Sequence, residues 1–166
     1  MLAVAAVVWI GLRGGGAIPL SLFVDLSSWW IDLGIGLAAA AGLIGGWELM
    51  ARSSEAARRL EEQLAELLGE VERGELLALA VLSGFAEELF FRGAVQQAWG
   101  WLIASVLFAV LHTGPGRAYR VWTLFAGIAG LVLGGLMLWR GALLAPVVAH
   151  VTVNAVNLRR LSRRAG

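Results

Sequence analysis

Apolar and polar positions alternate along this chain in long blocks. The opening "MLAVAAVVWIGL" is apolar but shorter than a bilayer crossing, and it lacks the charged leading region of a signal peptide. It reads as a short or truncated first span, followed by a Gly-rich break at Gly14 to Gly16. Residues 29–50, "WWIDLGIGLAAAAGLIGGWELM", have the length and apolarity of a crossing helix, with Asp32 and Glu48 near its ends, where water is expected to reach them. Residues 52–74 invert the pattern. Leu60, Leu64, Leu67, Leu68 and Val71 recur at helical spacing among charges, predicting an amphipathic helix on the membrane or against the bundle. Its Glu55/Arg59 and Arg58/Glu62 pairs stand four apart. Apolar stretches then cover 76–98, 101–111 extending to His112, 121–139 and 142–158.

These blocks predict an all-α fold: a polytopic transmembrane helix bundle of about five to six crossings with one cytoplasmic-side amphipathic helix. One domain accommodates them, with N-terminal spans at 1–50, the amphipathic helix at 51–74, a helix core at 75–158 and a basic tail at 159–166. The eight Trp fall near predicted segment ends, as rings that favour the headgroup region do. Gly42/Gly46 and Gly130/Gly134 each offer a small-xxx-small spacing for close helix packing.

Composition reinforces this picture. With 59% hydrophobic residues, 15% charged and a mean hydropathy of +0.78, the chain is too apolar for an ordinary soluble domain. Its environment is a lipid bilayer, and no nucleic-acid partner is expected. The absence of Cys excludes a disulfide framework, thiolate metal ligands and a cysteine nucleophile. All thirteen basic residues are Arg, a compositional hint of a bacterial source. Alternating crossings place ten of them (Arg52, Arg58, Arg59, Arg73, Arg117, Arg120, Arg159, Arg160, Arg163 and Arg164) on one side, against Arg13 and Arg140 on the other. The positive-inside rule therefore predicts a multi-pass protein of the inner membrane with its C-terminus toward the cytoplasm.

One apolar stretch carries three charges. "SGFAEELFFRG" holds Glu87, Glu88 and Arg92, and an ionised group at bilayer depth costs about 2.5–3.5 kcal/mol on insertion scales. Glu88 and Arg92, four apart, can neutralise each other on one helix face. Glu87, rotated by about 100°, keeps no helix partner. The two His of the chain supply candidates: His112 ends "FAVLH", and His150 stands four before Asn154 in "HVTVN". These groups could line one cavity open to the cytoplasm. An acid in an apolar cavity with a His beside it could activate water, and a second His with an Asn could stabilise an oxyanion. Blander roles compete with each of these. Glu87 could be a protonated, hydrogen-bonded carboxyl, His112 a helix C-cap, and His150 with Asn154 interhelical hydrogen-bonding groups, while Phe108 reads as packing in a cavity wall.

Three ordered motifs on three apolar helices, "EELFFR" as EExxxR, "FAVLH" as FxxxH and "HVTVN" as HxxxN, resemble the CPBP intramembrane proteases, also called the CAAX protease and bacteriocin-processing or Abi family. The resemblance covers about residues 83–158 and makes 75–158 a CPBP-like catalytic core. It implies an intramembrane endopeptidase in which Glu87 and His112 activate water and His150 and Asn154 hold the oxyanion, with Glu88, Arg92 and Phe108 supporting. The implied partner is a peptide or protein substrate at the membrane, prenylated or not. The cofactor stays unknown: a metal-free Glu/His dyad is favoured, and zinc would use Glu87, His112 and His150, although no HExxH spacing is present. Two other classes compete, a proton or ion transporter using the Glu-His cluster and a non-catalytic bacteriocin-immunity scaffold.

Overall fold

The structure, a computed structural model, describes residues 1–13 and 18–165. The Gly-rich break at 14–16 lies outside the described residues. Among the described residues the regular structure is helical throughout, with no strand. Helix α1 (Leu2–Arg13) precedes a short 3₁₀ turn (Leu20–Leu22), α2 (Trp29–Ser53), α3 (Glu55–Leu68) and α4 (Arg73–Glu88). A π-helical stretch (Leu89–Val95) then joins α4 to α5 (Gln96–Trp99), and α6 (Trp101–Leu111), α7 (Arg117–Arg140) and α8 (Leu144–Ala165) follow. Two of these, α2 and α7, are long and apolar enough to cross a bilayer; α1 and α6 are apolar but shorter.

Local chemistry sets the breaks between helices. Asp25 accepts hydrogen bonds from the Ser27 hydroxyl at 2.7 Å, the Ser27 N–H at 3.0 Å and the Ser28 hydroxyl at 2.8 Å, closing the turn that leads into α2. The same bonds, the Ser27 hydroxyl first, hold its carboxyl below the usual range. Ser54 separates α2 from α3 with extended backbone and caps α3 by accepting from Ala57 N–H at 3.3 Å. Gly141 ends α7 in the left-handed conformation, φ 72°, where a Cβ would be strained.

Contacts along the helices fix their directions. Gly36 of α2 lies against Ala145 and Val148, and Glu48 of α2 pairs with Arg160, so α2 and α8 run parallel. Gly84 of α4 lies against Val151, and Glu88 meets His150 while Ser83 meets Asn154, so α4 runs antiparallel to α8. Ser105 faces Gly130 and Thr123 bonds the His112 carbonyl at 3.2 Å, so α6 and α7 are antiparallel. The C-terminal ends of α2, α6 and α8 and the N-terminal ends of α4 and α7 thus share one end of the bundle, together with α3.

A polar seam binds the middle of the chain to α7. Arg92 Nη2 donates to the Gly130 carbonyl at 3.2 Å, Trp101 Nε1 to Leu131 at 2.9 Å and Gln96 Nε2 to Gly134 at 3.0 Å. Gly130 and Gly134 permit this approach, because a Cβ at Gly130 would press on the Ser105 backbone at 3.2 Å and one at Gly134 would collide with the Trp101 ring. Their carbonyls are reachable because no side chain shields them. The π-helical stretch belongs to the same region, and Phe91 to Gln96 are all buried beneath neighbouring helices.

Several expectations are corrected. Gly42 and Gly46 have open space around them, and the close approach on α2 occurs at Gly36 instead. Asp32 is fully buried, not water-exposed: it pairs with Arg140, which also donates to the Ser28 hydroxyl at 2.8 Å, so a carboxylate on α2 finds its charge 108 residues away. Trp47 does not sit at an outer end. It is buried against Phe125 and donates Nε1 to Glu61 at 2.8 Å. Residues beyond 158 are no separate tail; they continue α8 to Ala165.

Asp32→Ala would leave the Arg140 guanidinium without its carboxylate and is expected to lower stability by about 3 kcal/mol, with Asp32→Ala/Arg140→Leu recovering most of the loss. Thermal unfolding of the two variants in detergent checks this.

Candidate active site

The charged groups of α4 and the π-helical stretch converge with those of α6 and α8. Glu88, fully buried, takes the Arg92 Nη1 hydrogen bond at 2.7 Å and the His150 Nδ1 hydrogen bond at 2.7 Å on the same oxygen, Oε1. Arg92 is itself buried, and its guanidinium lies over the Phe108 ring, 4.6 Å from the centroid. Two donors on Oε1 and a ring face over the guanidinium thus hold an ion pair in an apolar setting, while Glu88 Oε2 has no partner among the described residues. The intrahelical pair was legible from the four-residue spacing; the third member, His150, was not.

Glu87 faces the other way, into a cavity of about 260 Å³. His112, His150 and Asn154 line the same cavity, as do Ser83, Trp47, Trp122 and Glu61. Glu87 Oε2 lies 3.8 Å from His112 Nε2 and 4.0 Å from His150 Nε2, beyond direct hydrogen bonding, and it has no partner among the described residues. Asn154 Nδ2 donates to Ser83 Oγ at 3.1 Å, which orients the amide and leaves its second N–H for a ligand. A smaller recess of about 50 Å³ opens behind the two His between Phe108, Phe125, Leu133 and Val153.

Hydrogen bonds fix the ring orientations. His112 Nδ1 stands 2.7 Å from the Phe108 carbonyl, which can only accept, so Nδ1 carries the proton and Nε2 turns its lone pair toward Glu87 when the ring is neutral. The same bond caps the end of α6, so the capping role and the placement in the cavity are compatible. His150 Nδ1 faces the Glu88 carboxylate, also an acceptor, so Nδ1 donates and Nε2 points to the cavity. Phe108 separates these layers, with its ring 4.4 Å from His112 and 5.8 Å from His150, centroid to centroid, and Arg92 over its face.

Glu61 escaped the sequence reading, because it sits inside the charged run of α3, where most charges are solvated. It is buried, accepts from Trp47, and has Arg164 Nη2 2.8 Å from Oε2 and Arg160 Nη1 3.8 Å from Oε1. The clue was its place in the amphipathic pattern, one residue after Leu60 on the face that α3 turns to α7 and α8. As for metal, no group of three His, Asp or Glu side chains among the described residues forms a ligand set, the set of Glu87, His112 and His150 included.

Residues 72–156 match the family described as type II CAAX prenyl endopeptidase Rce1-like. The chain belongs to this membrane-embedded family, and the match runs from the start of α4 into α8, across every cavity residue on α4, α6 and the first half of α8. It is also similar to YpbD, an uncharacterized protein of Bacillus subtilis (strain 168), with 37% identity over 83 residues. That alignment covers 49% of this chain and 42% of YpbD, so it spans less than half of either. No solved structure matches.

Arg92→Leu would leave Glu88 buried with only His150 and is expected to cost about 3–5 kcal/mol. Glu87→Ala, at a partly exposed carboxylate with no direct hydrogen bond, should cost under about 1 kcal/mol. Side-by-side denaturation of the two variants tests the division of the two acids into a structural and a cavity-facing one.

Proposed function

We propose that this chain is an intramembrane endopeptidase that hydrolyses peptide bonds near the cytoplasmic membrane face with a water activated by Glu87 and His112. The observation that carries the reading is that Glu87 Oε2, which has no hydrogen-bond partner among the described residues, faces His112 Nε2 at 3.8 Å in the cavity wall. A water bridging them has acceptors for both of its protons. As it attacks the scissile carbonyl, one proton passes to Glu87 and the new C–O bond leaves an oxyanion. Glu87 then returns that proton to the leaving amine as the C–N bond breaks.

Asn154 Nδ2 and His150 Nε2 supply the oxyanion donors. Because His150 Nδ1 already donates to Glu88, Nε2 can donate only when the ring is doubly protonated. In that form Glu87, Glu88, Arg92 and His150 carry two negative and two positive charges, a neutral set suited to an apolar bundle. The buried Glu88/Arg92 pair and Phe108 position His150 and His112 for these roles. Membership of a CAAX endopeptidase family supports the reaction class.

The alternating helix directions support a multi-pass arrangement of five or six crossings, with α3 and the Arg-rich end of the bundle on the cytoplasmic side. Exposed apolar side chains such as Leu37, Leu82, Ile103, Leu124 and Leu138 form the face that lipid would cover. The inner membrane of a bacterium fits this orientation.

The test is cleavage of a fluorogenic peptide library by purified protein. Glu87→Ala and His112→Ala are each expected to lower kcat by about 10²–10⁴-fold, and a chelator is expected to leave the rate unchanged. A transporter would instead move protons across vesicles with no cleavage, and a scaffold would do neither. Topology is checked separately: the chain has no Cys, so single Cys at positions 58, 117 and 163 should label from the cytoplasm and one at position 141 from the opposite side.

A further inference from the structure

We infer that Asn157 is a substrate-binding residue of this cavity, its side-chain oxygen accepting a backbone N–H of the bound peptide about two residues from the scissile bond. The inference rests on the peptidase reading above. Asn157 lines both the main cavity and the recess behind the two His. Its Oδ1 is buried and has no hydrogen-bond partner among the described residues. A buried acceptor without a donor is costly to keep, and such groups in a cavity wall call for a ligand.

Among the described residues no donor of the cavity wall reaches it: Trp47 Nε1 serves Glu61, Asn154 Nδ2 gives one N–H to Ser83, and Arg160 Nη2 serves Glu48. An occupant of the cavity would supply the missing donor. A peptide backbone presents one N–H per residue whatever its side chains, so this contact would hold the chain in register without selecting sequence.

Register follows from helix geometry. Asn157 is three residues beyond Asn154 and seven beyond His150, on one face of α8, hence about 4.5 Å and about 10 Å along its axis. An extended peptide advances about 3.4 Å per residue. With its scissile carbonyl between His150 and Asn154, a peptide lying along α8 brings an N–H to Asn157 about two residues away, on the flank nearer the Arg-rich end.

The experiment takes the best-cleaved peptide of the library and a series of its single backbone N-methylations, with wild type and Asn157→Leu. The expected result is a rise in KM of about 3–10-fold for Asn157→Leu, with the loss in KM and not in kcat, as for a net hydrogen bond present in both bound states. N-methylation two residues from the scissile bond raises the wild-type KM by a similar factor and adds nothing in Asn157→Leu. The Kd of the peptide for Glu87→Gln and Glu87→Gln/Asn157→Leu, read by fluorescence anisotropy, shows the same ratio. Removing an unpaired polar atom leaves the Tm of Asn157→Leu equal or higher. An unchanged KM, an N-methyl penalty as large in the variant as in wild type, or a marked fall in Tm overturns the assignment in favour of a bound water or a structural role. If Glu87→Ala cleaves as well as wild type while Asn157→Leu binds more weakly, the water-activation scheme falls and Asn157 stands. If wild type neither cleaves nor binds any peptide of the library, both fall.

Discussion

Glu88 Oε1, shared between Arg92 and His150, is the contact on which the arrangement of this bundle depends. A lone carboxylate at this depth would be prohibitive, and the pair with Arg92 makes it tolerable within one helix. The bond to His150 then extends that local solution across to α8. Because both bonds use one oxygen, the two donors are drawn to the same point, and the α4/α8 packing places Gly84 against Val151 where any side chain would intrude. Charge neutralisation and helix spacing are one constraint here.

The rest of the cavity wall follows from that fixed point. Arg92 is long enough to reach Gly130 as well as Glu88, so it also ties α7 to the group. Phe108 fills the gap between Arg92 and the His rings, and α6 is held by Trp101 and Ser105 where the glycines of α7 leave room. Glu87, next in sequence to Glu88, is left facing outward by the helical turn itself. Two adjacent acids thus acquire opposite environments, one sealed and one open to a cavity, from a rotation of about 100°.

The sequence disclosed much of this. Apolar blocks at 29–50, 101–111 and 121–139 correspond to α2, α6 and α7 within a few residues, because block length and polarity are local properties. The amphipathic run at 52–74 narrows to α3, bounded by the Ser54 cap and by Gly69. What stayed hidden depends on partners distant in the chain. Asp32 looked exposed until Arg140 was placed beside it, and Trp47 looked interfacial until Glu61 was. The spacing of Gly42 and Gly46 matched that of Gly130 and Gly134, yet spacing cannot say which face meets a neighbour. At the candidate site, motif spacing brought forward Glu87, His112, His150 and Asn154, whereas Glu61 and Asn157 show their positions only once α3 and α8 are packed.

The parallel course of α2 and α8 has a bearing on biosynthesis. The two helices against which α8 packs most closely, α2 and α4, are both synthesised before it, and α8 contributes His150 and Asn154. Glu88 and Arg92 enter the membrane already compensating each other within one stretch of chain. Until residues 144–165 have left the ribosome, the cavity lacks the wall that carries His150 and Asn154.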